Sequence, residues 1–119
     1  MVVLITGSSS GIGKATAKLF QSKGWQVIAT MRSPEKETEL TQLANIELAQ
    51  MDVTNGKQIQ EVIATTIKKY GKIDTIINNA GYGLIGPFEC ASTEEVQKQF
   101  NTNVFGLMQV CQAILPYFR

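Results

Sequence analysis

The chain has 119 residues, 44% of them hydrophobic and 18% charged, with 11 Lys and Arg against 10 Asp and Glu. That balance describes one globular domain around a single core, and the complete absence of histidine excludes Ser-His-Asp and Cys-His nucleophiles, His-ligated zinc and a His general base. The two cysteines, Cys90 and Cys111, lack the spacing of a redox or zinc pair, and are expected as small buried hydrophobes in a reducing cytoplasm.

The chain opens on Met1 to Ile5, an apolar start without a basic flank that is broken at once by Thr6 and Gly7; neither a signal peptide nor a membrane span is expected. Val2 to Thr6 reads as a strand covered on both faces. Gly11 to Lys23 reads as a helix with Ile12, Ala15, Leu19 and Phe20 at helical spacing, stopped by Gly24. Lys14, Lys18, Lys23 and Arg32 all precede the first acidic residue, Glu35. This suits a small phosphorylated ligand better than nucleic acid, although a solvated helix face is the simpler account of the three lysines. Gln26 to Thr30 reads as a second strand, followed by a helix capped by Ser33 and opened by Pro34, with Glu35, Glu37 and Glu39 at its positive end.

Ile46 to Met51 is a third strand, Asn55 to Tyr70 a helix with a stripe of Ile59, Val62, Ile63 and Ile67, and Asp74 to Asn78 a fourth strand. Asn79 to Pro87 is a glycine-rich loop. A capping box of Ser92 and Glu95 opens a long helix whose stripe of Val96, Phe100, Val104, Leu107, Cys111 and Ile114 should face the sheet, with Asn103 on the same side and Pro116 ending it. Strands alternating with helices predict an α/β, Rossmann-like three-layer fold: a parallel sheet with helices on both faces, about four strands in the order 3-2-1-4, and a long C-terminal helix.

The strongest local signal is Thr6-Gly7-Ser8-Ser9-Ser10-Gly11-Ile12-Gly13, between the first strand and the first helix. Glycines let the backbone turn sharply and a pyrophosphate come close, the helix N-terminus presents unpaired N–H groups, and three serines add hydroxyls. The bland alternative is a tight turn without a ligand. A P-loop fails at two positions, Ser8 and Ala15, and the G-x-G-x-x-G spacing fails because the glycines run G-x-x-x-G-x-G.

The spacing that does occur, with Asp52-Val53 after the third strand, Asn78-Asn79-Ala80-Gly81 at the end of the fourth and Asn101-Thr102-Asn103-Val104-Phe105-Gly106 in the long helix, resembles the short-chain dehydrogenase/reductase family. The wording around Ala29 to Arg32 and Asn79 to Gly83 looks closest to its steroid- and retinol-like members. The resemblance implies that Gly7, Ser9, Ser10, Gly11, Ile12 and Gly13 hold the pyrophosphate of a dinucleotide. Asp52 would accept from the adenine amino group with Val53 beside it, and Asn79, Ala80 and Gly81 would border the adenine ribose. Asn103 would be the one member of the catalytic set present, holding a water that orients the active-site lysine. Bland roles stand beside these: a turn cap for Asp52, a turn residue for Asn79, a satisfied core amide for Asn103.

Cofactor choice rests on the end of the second strand. NAD needs a carboxylate there for the ribose hydroxyls, whereas this chain has Met31 followed by Arg32, a partner for a 2′-phosphate. NADP is therefore expected over NAD, the alternative being a solvated arginine. The family's chemistry also needs Tyr-x-x-x-Lys, and the positions four after Tyr70 and Tyr82 are Asp74 and Gly86, with none after Tyr117. Residues 1–119 are therefore expected to form a single dinucleotide-binding domain cut before that segment. It would belong to an NADP-dependent enzyme acting on a small alcohol or carbonyl substrate, without membrane or nucleic-acid partners, and be inactive alone. Its open fourth strand and last helix suggest a homo-oligomer. The alternative is a non-catalytic NADP-binding or self-assembling fragment.

Overall fold

The computed structural model describes residues 1–119. Four parallel strands, β1 (Val2–Ile5), β2 (Gln26–Met31), β3 (Ile46–Gln50) and β4 (Thr75–Ile77), stand in the order β3-β2-β1-β4. The predicted order is thus borne out. β1 is the pivot, with Leu4 opposite Ile28 on one side and Ile76 on the other.

The alternation of side chains along β1 divides the core. Val2 and Leu4 join Ile28 against α2 (Gly56–Tyr70) and α4 (Leu107–Phe118), packing on Ile59, Val62, Ile63, Val110 and Ile114. Val3 and Ile5 join Val27, Ala29 and Met31 on the opposite face, against Ala17 of α1 (Gly11–Ser22). Helices on both faces of a strand buried on both sides give the three layers expected of the pattern. On the edge strand β3, Glu47 accepts from the Tyr70 hydroxyl at 2.6 Å and from Lys69 Nζ at 2.7 Å, which ties the end of α2 to the sheet.

Four expectations about the helices need correction. The buried face of α1 is Gly13 and Ala17, whereas Ile12 and Leu19 are 78% and 55% exposed; small residues let the helix lie close on the sheet, so the apolar spacing at 12, 15 and 19 marked the outer side. The helix after Ser33 is replaced by two short 3-10 turns, Pro34–Lys36 and Leu40–Gln42, and Ser33 makes no cap. The acids there turn to α1 instead of a helix dipole: Glu37 Oε1 accepts from the Glu39 and Leu40 N–H groups, Glu37 Oε2 pairs with Lys14 at 3.1 Å, and Glu39 Oε2 pairs with Lys18 at 2.7 Å. Lys14 and Lys18 are thereby engaged in ion pairs within the fold, neither free for a ligand nor a merely solvated helix face.

The long helix is also not uniform. The capping box of Ser92 and Glu95 opens α3 (Thr93–Phe100), as expected, and a π-helical stretch, Asn101–Gly106, joins it to α4. A wider turn rotates whatever follows it relative to a 3.6-residue repeat. The buried stripe after it is Gly106, Val110, Ala113 and Ile114, and Phe100, Val104 and Leu107 of the predicted stripe are exposed. Pro116 lies inside α4 rather than ending it; the carbonyl it deprives of a partner is that of exposed Gln112, within reach of water.

The carboxylate network implies an acid response. Burial, the largest influence on Glu37, raises its pKa, but the Leu40 N–H, Lys14 and the Glu39 N–H together outweigh it and hold the group below its ordinary 4.5. A lowered folded-state value contributes stability above pH 4.5 and loses it as pH falls through the folded-state value. Glu37→Gln is therefore expected to melt below the parent at pH 7, with the gap closing in melting curves taken progressively below pH 4.5.

Candidate functional site

A cavity of about 1030 Å³ opens outside the C-terminal ends of the strands. This is where the strand order reverses about β1, the position at which open α/β sheets bind ligands.

The turn after β1 forms its floor, and its shape is set by contacts that tolerate no side chain. Gly7 has φ +66°, and a Cβ on it would lie 2.8 Å from Ala80 Cα. A Cβ on Gly13 would run into the Gly7 carbonyl oxygen and stand 2.5 Å from Asn79 Nδ2. Asn79 Nδ2 itself donates to the Gly7 carbonyl at 2.9 Å, which closes this junction. Thr6 Oγ1 accepts from the N–H groups of both Asn79 at 3.0 Å and Ala80 at 2.9 Å, joining the ends of β1 and β4. Ser8 is buried and its hydroxyl donates to the Ile5 carbonyl at 3.0 Å, so of the three serines only Ser9 and Ser10 face the cavity.

The structure brings nearly all the predicted residues together. Gly7, Ser9, Ser10, Gly11, Ile12, Arg32, Asp52, Val53, Asn79, Ala80 and Gly81 line the cavity, and Gly13 is buried beneath its floor. The site fits a dinucleotide in two respects. No acid occupies the first turn of α1, leaving its N-terminal N–H groups to an anion. Arg32 is the cation at the end of β2, its carbonyl held by Gln50 Nε2 at 3.2 Å, and the preceding Met31 is buried.

Asp52 caps its turn. Oδ1 accepts from the Thr54 N–H at 2.9 Å and the Thr54 hydroxyl at 2.7 Å, as a turn cap would, which leaves Oδ2 for a ligand. Partial burial raises its pKa, but the two Thr54 hydrogen bonds and the Arg32 charge prevail and hold it below the usual carboxylate range.

Asn103 stands behind the cavity and not in its lining. Its Oδ1 accepts from the Tyr82 N–H at 3.0 Å and its Nδ2 donates to the Tyr82 carbonyl at 2.7 Å, so the side chain gives the loop after β4 the paired hydrogen bonds of a neighbouring strand. Its amide is satisfied there, and it sits beside solvent-accessible π-helical residues instead of in a stripe against the sheet.

The fourth wall escaped sequence reasoning. Tyr82, Lys98, Asn101, Thr102, Phe105 and Gln109 form it. Thr102, Phe105 and Gln109 stand at i, i+3 and i+7, one face of a helix, but their mixed polarity gives no apolar stripe to mark it. Gly106 could have signalled the approach: a Cβ there would lie 2.6 Å from Val53 Cγ2, so the helix meets the turn after β3 backbone to side chain.

The model of the family described as short chain dehydrogenase matches residues 1–119. The chain is 40% identical over 118 residues to a 3-ketodihydrosphingosine reductase of Bacteroides thetaiotaomicron, covering 99% of this chain and 42% of that protein. It is 38% identical over 119 residues to an NADP-dependent 3-hydroxy acid dehydrogenase of Shigella flexneri, covering 98% of this chain and 48% of that protein. Among solved structures, ElxO with NADP bound is similar at a TM-score of 0.90 and 36% identity, over 98% of this chain and 50% of that one. The chain spans about half the length of these relatives. With the fold, the turn and the whole length in agreement, the chain belongs to the short-chain dehydrogenase family.

Proposed function

We propose that this chain is the NADP(H)-binding part of an oxidoreductase that interconverts an alcohol and a carbonyl. The observation that carries the reading is the pairing of an acid-free, glycine-built α1 N-terminus with Arg32 at the end of β2 on one cavity. The turn from Gly7 to Gly13 would take the pyrophosphate, Arg32 the 2′-phosphate, Asp52 Oδ2 and Val53 the adenine, and Asn79, Ala80 and Gly81 the adenine ribose. The nicotinamide, when bound, supplies the hydride chemistry. Asn103 fixes the Tyr82 backbone at the cavity's edge, and a water-holding part in proton relay belongs to this proposal. Relatives named as NADP-dependent or solved with NADP support the choice of cofactor.

None of the three tyrosines has a lysine four residues on, so the 119-residue chain is expected to bind without turnover. Titration with NADPH followed by fluorescence should saturate at one site, while aldehydes, ketones and alcohols give no steady change in nicotinamide absorbance. A linear titration would overturn the binding reading, and steady turnover would overturn the incompetence. The exposed apolar side chains of the last helical segment, among them Val104, Phe105, Leu107, Met108 and Leu115, support association of copies of the chain. Sedimentation at micromolar concentration should then show species heavier than the 13.0 kDa monomer. No helix is long and apolar enough to cross a membrane; Cys90 is exposed and Cys111 partly buried, which corrects the expectation that both are buried, and as free thiols the two accord with a cytoplasmic setting.

A further inference from the structure

Arg32 stands on a segment whose far end is held by an ion pair outside the cavity. Up to Met31 the strand is tied to its surroundings: the Ser8 N–H donates to the Thr30 carbonyl at 3.0 Å and the Met51 N–H to the Met31 carbonyl at 2.9 Å. Beyond Arg32 the chain leaves the sheet in the 3-10 turn Pro34–Lys36, where the Lys36 and Glu37 N–H groups donate back to the Ser33 and Pro34 carbonyls, both at 3.1 Å. Those bonds close the turn on itself. The segment is next anchored at Glu37, whose side chain is 3% exposed. Both of its oxygens are engaged: Oε1 accepts from the Glu39 and Leu40 N–H groups at 2.8 and 3.1 Å, and Oε2 meets Lys14 Nζ at 3.1 Å.

An exposed ion pair adds little and leaves its geometry loose, whereas a carboxylate out of water with three partners is fixed in position. Lys14 is on α1, where its N–H donates to the Ser10 carbonyl at 3.3 Å, and Ser10, Gly11 and Ile12 just before it line the cavity. The pair therefore spans the two elements that take phosphate in the reading above, the N-terminus of α1 for the pyrophosphate and the end of β2 for the 2′-phosphate. We infer that the Lys14–Glu37 pair is a positioning device: it holds the Arg32 segment in register with the α1 N-terminus, and so favours NADPH, which presents phosphate to both elements, over NADH, which presents it to the first alone. The inference rests on the NADP reading and adds to it two residues outside the cavity lining.

The test removes the pair without altering the net charge that attracts phosphate. Lys14→Met combined with Glu37→Gln does so, since the glutamine oxygen still accepts from the Glu39 and Leu40 N–H groups and Lys18 still holds Glu39 at 2.7 Å. Fluorescence titrations with NADPH and NADH should show the preference for NADPH narrowed by about five-fold, the worth of one hydrogen bond lost by a guanidinium whose charge remains, with NADH binding unchanged. Glu37→Asp, equal in charge but shorter, should narrow it likewise, and it decides the matter if the double variant does not fold. Lys14→Arg, which keeps the pair, should retain the parent preference. In an Arg32→Ala background the double exchange should leave the ratio where Arg32→Ala alone puts it, because its effect passes through Arg32. An unaltered preference in a folded variant overturns the inference. So does an equal loss for both cofactors, which marks a merely structural role, or an effect that persists without Arg32. A parent that binds the two cofactors alike is a separate result, since it overturns the NADP reading itself.

Discussion

Arg32→Ala should weaken NADPH binding by about 10- to 100-fold, the range of a charge-assisted hydrogen bond between guanidinium and phosphate, and leave NADH within about two-fold, the size of a screened surface contribution. The asymmetry is the substance of the prediction. The 2′-phosphate is the only group that distinguishes the two cofactors, and Arg32 is the cation that the end of β2 presents to the cavity. Parallel fluorescence titrations with the two reduced cofactors measure the ratio. An equal loss for both would reassign Arg32 to the shared pyrophosphate, and no loss would make it a solvated strand-end residue.

The second large effect is expected at Gly13. Its missing side chain is replaced in space by the Gly7 carbonyl oxygen and Asn79 Nδ2. Backbone cannot swing aside as a flexible side chain can. Gly13→Ala must therefore lift the start of α1 or break the hydrogen bond from Asn79 to Gly7, and either disturbs the floor of the cavity. Overpacking of this kind costs about 3 kcal/mol, which for a chain of this size lowers the melting temperature by about 10 °C. Thermal unfolding followed by circular dichroism reads that loss. NADPH titration at a temperature where the variant remains folded should find binding reduced as well; an unchanged melting curve would show that the turn accommodates a methyl group and that its glycines answer to the ligand alone.

How much of this was legible in the sequence depends on the range of the contact. The β-branched run Val2 to Ile5, the glycine turn and the cap at Ser92 are local signals, and the strands and their order followed from alternation and punctuation. Gly13 was legible as part of a phosphate turn, but its contact with Asn79 was not, because that neighbour lies on another strand. The inward face of α1 was misread since Ala17 and Gly13 carry less apolar weight than Ile12 and Leu19, and close packing rewards small residues there. The acids after Pro34 look like the start of a helix until Lys14 and Lys18 are brought opposite them by the first crossover. The fourth wall was missed for a different reason: Lys98, Thr102, Phe105 and Gln109 share one helix face, but their mixed polarity does not read as a stripe.

Thr6 contributes a single oxygen atom, yet that atom accepts from two successive amides of a strand end more than seventy residues away. The two banks of the cavity are therefore spliced at its midpoint, and neither can drift without the other. A gap held open in this way is preorganised: a ligand entering it need not spend binding free energy on ordering the β1 and β4 ends, and what it gains there appears as affinity. The floor of the cavity thus owes its rigidity to this hydroxyl together with the bond from Asn79 to the Gly7 carbonyl.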